Sequence, residues 1–210
     1  IGQFMSPFSN KRTDKYGGIT ANRARFALEI NENARKKRGP DLPIPYRMST
    51  AEYVDGALDG DESKATAKLL ENAGVAFIHS SQGVYASTET IIPPSVIPRG
   101  HYIDNAAAIK SVVKIPVIGV GRINDPLIAE AILESGKVDL VTMARASLAD
   151  PDMPRKYQEG KTDEIIRCIG CLQGCIGENA KGNPIRCLVN PIMGMESEYD
   201  LSAAPVKKKV

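Results

Sequence analysis

The sequence predicts an α/β fold on a parallel sheet, read as the C-terminal half of a (β/α)8 TIM barrel, about four βα units, followed by a cysteine-rich segment. Three observations carry this reading. Helix-period and strand-period stretches alternate strictly from about residue 20 to residue 158, and such alternation argues for parallel strands with crossover helices. The four apolar strand stretches of four or five residues are too few to close a barrel of eight. That leaves a small open doubly wound sheet or half of a barrel. The chain starts without a methionine and inside an apolar run, which favours the half-barrel.

Taken in order, residues 1–19 read as a loop, because Pro7, Ser9, Asn10, Asp14 and the Gly17-Gly18 pair are turn chemistry. A helix is expected from Ala21 to Lys37, capped by Thr20, with Ala24, Ala27, Ile30 and Ala34 at helical spacing. Arg35 to Arg38 suit its C-terminal dipole, and Gly39-Pro40 end it. A strand follows at Ile44–Met48, then a loop over Asp55–Asp61 and a helix at Glu62–Asn72, stopped by Gly74. Val75–His79 is the second strand, and a proline-bearing loop runs from Ser80 to Tyr102. Asp104 is placed to cap a helix reaching Val113, and Val117–Val120 is the third strand. Asp125-Pro126 is a cap followed by an N1 proline, opening a helix to Glu134 that Gly136 closes. Leu140–Met143 is the fourth strand, followed by a short turn and a helix at Asp152–Gln158.

The totals narrow the class. Of 210 residues, 42% are hydrophobic and 25% charged, the balance of a soluble globular protein able to bury a core. A formal net charge of +2, without a basic patch interleaved with aromatics, sets nucleic-acid binding aside. No run of about 18 apolar residues exists, which excludes a spanning helix. The first residues, IGQFMSPFSNKR, are neither a signal nor a transit peptide, so a cytoplasmic location is expected. The final PVKKKV stops where a new strand would start, and both ends read as cuts in a longer protein.

All four cysteines lie between Cys168 and Cys187, spaced C-x2-C-x3-C-x11-C. Ordinary buried thiols would rarely gather so closely, and without a secretory signal the spacing reads as a metal site rather than as disulfides. Zinc ribbons present two separated C-x2-C pairs, whereas here three thiols crowd into eight residues and the fourth arrives later, ahead of a proline. That arrangement favours a [4Fe–4S] cluster over zinc. Gly170, Gly174 and Gly177 interleave with the thiols and let the backbone fold tightly.

The third and fourth strands end alike, in Gly121-Arg122 and Ala144-Arg145. A small residue lets backbone N–H groups approach a phosphate, and arginine adds charge-assisted bidentate bonds. In (β/α)8 barrels the loops after the last two strands commonly build such a site. The alternative is two surface arginines beside carboxylates such as Asp125 and Asp150. Arg47 sits inside the first strand, where a charge must be paired or aimed at a ligand; Glu52 and Asp55 are its candidate pairing partners.

DKYGGITANRARFALEI (14–30), YRMS (46–49), GVGRIND (119–125), VTMARASLADPD (141–152) and the cysteine segment together resemble the NADH:flavin oxidoreductases of the Old Yellow Enzyme class. The C-x3-C spacing of Cys171 and Cys175 is closer to the iron–sulfur branch of 2,4-dienoyl-CoA reductases, enoate reductases and NADH oxidase-like enzymes than to trimethylamine dehydrogenase. The resemblance implies an oxidoreductase that reduces an activated C=C bond of an enoate or enoyl-CoA-type substrate, or an NADH oxidase. FMN would sit at the barrel mouth, with FAD and NAD(P)H in a further domain. By the match, Arg47 contacts the flavin pyrimidine edge, and Gly121, Arg122, Ala144 and Arg145 hold the FMN phosphate. Cys168, Cys171, Cys175 and Cys187 ligate the cluster. Ser9, Asn10, Lys11 and Arg12 lie on the substrate side, with Tyr85 the nearest polar aromatic where the dienoyl-CoA reductases carry a histidine. The implied domains are 1–160 for half of the FMN barrel, 161–195 for the cluster segment and 196–210 for a linker toward the FAD domain. The family's proton-donating tyrosine matches a position ahead of Ile1, so no catalytic acid is assigned. A homo-oligomer is allowed. The alternative function is a non-catalytic iron–sulfur electron-transfer or zinc-stabilised binding module.

Overall fold

Four short strands, β1 (Tyr46–Ser49), β2 (Ile78–Ser81), β3 (Val117–Gly119) and β4 (Leu140–Val141), lie parallel in sequence order. This is a computed structural model that describes residues 1–39 and 41–199. Pro40 as a helix stop and the linker beyond residue 199 lie outside the described residues. Before β1 come α1 (Gly2–Met5) and α2 (Thr20–Arg38). Between β1 and β2 lies α3 (Gly60–Asn72); α4 (Thr88–Ile91) and α5 (Ile103–Lys110) separate β2 from β3; α6 (Pro126–Glu134) joins β3 to β4. After β4 come α7 (Ala144–Ala149), α8 (Met153–Gln158) and α9 (Glu178–Ala180). Contacts divide the chain into two units, residues 1–144 and those from Arg145 onward.

The strand register sorts side chains into two rows. Tyr46, Ile78 and Val117 stand side by side, and so do Arg47, His79, Ile118 and Leu140. Since successive strand residues point to opposite faces, the first row meets the helices. Ile78 and Val117 are fully buried there, in one core with Ala67 and Leu70 of α3 and Ala106 and Ile109 of α5. The second row stays accessible: Arg47 is exposed, His79 and Ile118 are half-buried, and Leu140 is 50% exposed. Parallel sheets are ordinarily covered on both faces, so this sheet offers one finished face and one open one.

Several expected elements shift, each for a local reason. The first loop contains one helical turn, α1, held by burial of Met5 and by Phe4 against Phe26 at 4.5 Å rather than by a cap. Thr20 is the first residue of α2 and not its cap; its hydroxyl turns to Glu62 on α3, which also pairs with Arg23. Asp59 caps α3 by accepting from the N–H groups of Asp61 and Glu62, so that helix begins two residues earlier than its apolar pattern suggests. Asp104 lies in the first turn of α5 and pairs with Lys137 at 2.6 Å instead of capping. Asp125 does cap α6, accepting from Leu127 N at 3.0 Å. Ala144-Arg145 is not a turn but the opening of α7.

In the second unit, one buried carboxylate organises the approach to the cysteines. Asp150, 3% exposed, accepts from Lys156 Nζ at 2.8 Å, Ile166 N at 2.9 Å and Asp152 N at 3.1 Å. At the far end of the cysteine segment, buried Asn190 donates from Nδ2 to Leu148 O at 3.0 Å. Both ends of the segment are therefore tied to α7 and the turn that follows it.

Candidate functional site

At the carboxyl ends of β1 and β2 the open row is polar. Arg47 Nη1 lies 2.8 Å from His79 Nε2 and 3.2 Å from Nδ1, and Arg47 Nη2 donates to Ser81 Oγ at 2.9 Å. Thr142, just past β4, places its hydroxyl 3.2 Å from His79 Nε2. Neither Glu52 nor Asp55 pairs with Arg47: buried Glu52 accepts from Ser6 Oγ and Leu58 N instead. Met5, Tyr46, Arg47, Ser49, Glu52 and Ser81 line one cavity at this end of the sheet.

The electrostatics of this cluster favour a neutral imidazole. Partial burial, followed by the Arg47 charge, pushes His79 down from 6.5 to about 4, because both factors oppose a second positive charge. Burial also lowers the pKa of Arg47. A depressed histidine means that the unfolded chain binds the proton between the two values, so stability rises with pH in that window. The contribution of His79 is thus intact above pH 6.5 and is lost as the pH falls toward 4. Allowing for its partial exposure, about 2 kcal/mol is at stake. Denaturant titrations at pH 7 and pH 4.5 should show this as a loss that His79→Asn reduces; an equal loss in both proteins would refute it.

The glycine-arginine turn after β3 is built as a close approach. Gly121 has φ +128° and a Cβ there would stand 3.1 Å from Tyr102 N, while Arg122 follows with φ +50°. An L side chain at position 121 is therefore excluded on conformational and steric grounds. Arg122 Nη1 donates to Ser95 O at 2.8 Å and to Ile97 O, and Gly100 N donates to Gly121 O at 2.7 Å. The turn fastens the long loop after β2 to the end of β3.

The expected substrate-side residues divide. Asn10 is buried and holds its own loop, donating from Nδ2 to Tyr16 O at 2.7 Å and Phe4 O at 2.5 Å and accepting from Arg12 N. Ser9 and Lys11 bind the carbonyls of Gln3 and Pro7. Arg12 pairs with Asp14 and lies 5.9 Å from the ring centres of both Phe4 and Tyr16. Tyr85 is 92% exposed at the start of a single 3-10 turn.

In the second unit, Cys168, Cys171, Cys175 and Cys187 are partly buried and outside any disulfide, and they line one cavity with Arg145, Arg186, Leu148 and Leu188. The backbone around them is unusual: Leu172 has φ +61°, Gly170 has φ +69°, and Gln173–Gly177 forms one π-helical turn carrying Cys175, a geometry frequent at functional sites. Arg186 N donates to Gly174 O at 2.8 Å, and a Cβ at Gly174 would stand 2.7 Å from Arg186 O. Gly174 is thus required for the extended segment bearing Cys187 to close on the loop bearing the other thiols. Gly177 is not required in that sense, since its φ is −63° and an added Cβ would meet nothing nearer than 3.5 Å. Among the described residues, no three His, Cys, Asp or Glu side chains converge closely enough to hold a single ion.

The profile of the NADH:flavin oxidoreductase / NADH oxidase family matches residues 1–164. The chain belongs to this family. NADH oxidase of Thermoanaerobacter brockii is 47% identical over 212 residues, covering 100% of this chain and 33% of that protein. Cinnamate reductase of Clostridium sporogenes is 34% identical over 224 residues, covering 100% of this chain and 34% of that protein. Among solved structures, 2-naphthoyl-CoA reductase in complex with 2-naphthoyl-CoA superposes with a TM-score of 0.87 at 33% identity, over 92% of this chain and 30% of that one. The chain spans about a third of the length of these relatives. The family is one of oxidoreductases.

His79 and Ser81 carry no motif and escape a reading by spacing. The available signal was period two: Arg47 and Ser49 on one strand, His79 and Ser81 on the next, each alternating with buried residues. None of the described helices is long and apolar enough to cross a membrane.

Proposed function

We propose that this chain forms the C-terminal half of an FMN-binding (β/α)8 barrel together with a [4Fe–4S] segment, in an NAD(P)H-dependent oxidoreductase that reduces activated C=C bonds or acts as an NADH oxidase. The observation that carries the reading is the open row of the sheet, where a guanidinium fixed by neutral partners stands at the carboxyl ends of parallel strands. Ligands of α/β barrels bind at that end. The uncovered face supports a partner layer of further strands, and residue coverage of about a third of each relative supports an additional FAD- and NAD(P)H-binding domain.

The residues fit the groups. Arg47 would present donors to an electron-rich ring edge, and Gly121, packed against Tyr102, is proposed to place the turn after β3 where its backbone would meet a phosphate. Arg122 stands beside it, and Ala144 and Arg145, which open α7, are also proposed for anion binding. Cys168, Cys171, Cys175 and Cys187, which line one cavity, would hold the cluster through four thiolates. When bound, FMN supplies hydride transfer to an alkene and the cluster supplies single-electron transfer. The named relatives act on cinnamate and hold 2-naphthoyl-CoA, so an unsaturated acid or its CoA thioester is the proposed substrate class. Arg12 and Tyr85 are proposed on the substrate side, and Asn10 in shaping the loop that carries Arg12.

Metal and flavin analysis of anaerobically prepared protein tests this directly. About four iron and four sulfide per chain, with FMN released on denaturation, is the expected result. Stoichiometric zinc without flavin would replace this reading with a structural binding module.

A further inference from the structure

Arg47 is exposed and on the open row, yet its guanidinium is not left to find its own orientation. Two of its five N–H groups are committed, one to the His79 imidazole and one to Ser81 Oγ at 2.9 Å. Among the described residues no further partner meets Arg47, so the remaining three N–H groups are available to a ligand. Both partners come from β2, in register with β1: Arg47 faces His79 and Ser49 faces Ser81. Thr142 Oγ lies 3.2 Å from the same Nε2 that Arg47 approaches, so the hydroxyl and the guanidinium share that ring nitrogen. Three strand ends thus meet around one imidazole, and among the described residues no carboxylate is a partner of Arg47.

We propose that His79 is a positioning residue for Arg47: as a neutral acceptor it fixes the guanidinium fork toward a planar, electron-rich imide or pyrimidine edge without neutralising its charge. The distinction from an ion pair is chemical. A carboxylate in the place of His79 would hold the arginine equally well but cancel the positive field at the ligand, whereas a neutral imidazole holds it and leaves the field intact. Protonated on both nitrogens, the same ring could not accept from Arg47 at all. Ser81 is a second neutral acceptor in the same arrangement. The inference rests on FMN being the ligand at this end of the sheet, and it adds the residues that set the charge Arg47 presents.

Sulfite affinity of the oxidised flavin provides the test, because reversible sulfite addition at the flavin responds to positive charge at the pyrimidine edge and not to general stability. In the FMN-loaded holoenzyme, His79→Leu should weaken sulfite binding by about tenfold, the value of one charge-assisted hydrogen bond. His79→Gln, which keeps a neutral acceptor, should stay within about threefold of the parent. Ser81→Ala should shift it in the same direction by a smaller factor and serves if the leucine variant does not fold. His79→Asp should weaken sulfite binding at least as much as leucine while retaining the hydrogen bond. An unchanged sulfite Kd in His79→Leu and Ser81→Ala with FMN bound would overturn the positioning role. A parent enzyme that retains no FMN would instead overturn the proposed function, and the two failures are told apart by the flavin spectrum before any sulfite is added.

Discussion

Cys171→Ala should empty the cysteine cavity, lowering iron and acid-labile sulfide from about four per chain to under one. The expectation follows from how the segment is built. The four thiols come from a π-helical turn, the loop ahead of it and a returning loop segment, and they gather around one cavity. A cluster held by four thiolates loses a quarter of its coordination with one alanine, and the neighbouring lining residues Leu148 and Leu188 offer no replacement ligand. The scaffold should survive, because the ends of the segment are secured elsewhere, by Asp150 to Ile166 N and by Asn190 to Leu148 O. Gly174→Ala is the companion variant. It keeps all four thiols but drives a methyl to 2.7 Å from Arg186 O, so it should lose cluster as well, through displacement of Cys187. Full iron content in Cys171→Ala would show that the cysteines serve some other purpose.

Arg47→Ala should lower NADH-dependent reduction of an unsaturated acid by about 10²-fold, the usual cost of removing one preorganised electrostatic donor. The same substitution should leave stability nearly unchanged. Arg47 is exposed, makes no ion pair among the described residues, and is opposed rather than favoured by its partial burial. Its removal also takes away the smaller of the two causes that depress His79, burial being the larger, so the His79 pKa should rise above about 4. Steady-state kinetics with thermal denaturation separates the two effects. Unchanged turnover would take Arg47 out of the site, and a large drop in Tm would make its role structural.

Much of this was legible in the residues. Strict alternation of periods announced the parallel sheet, and Asp125-Pro126 and Gly136 delimited α6 because cap, N1 proline and C-terminal glycine act within one turn of chain. The cysteine segment announced itself because four thiols in twenty positions are a local fact. Errors came where distant contacts override local preference. Thr20 and Asp104 have good capping side chains, but Glu62 and Lys137 offered them stronger partners from elsewhere in the fold. The Ala144-Arg145 turn, read by analogy with Gly121-Arg122, is helix because alanine lacks the φ freedom that bends the chain at Gly121.

By itself, then, the sequence determined the order of elements, the thiol set and the glycine-arginine turn, since each depends on neighbours within a few residues. Only the tertiary structure decided which partners Arg47 has, that Asn10 is spent on its own loop, and that Gly174 rather than Gly177 is the indispensable glycine of the cysteine segment. Those outcomes depend on strand register and on close approach between residues 6 to 34 positions apart, and no local pattern specifies either.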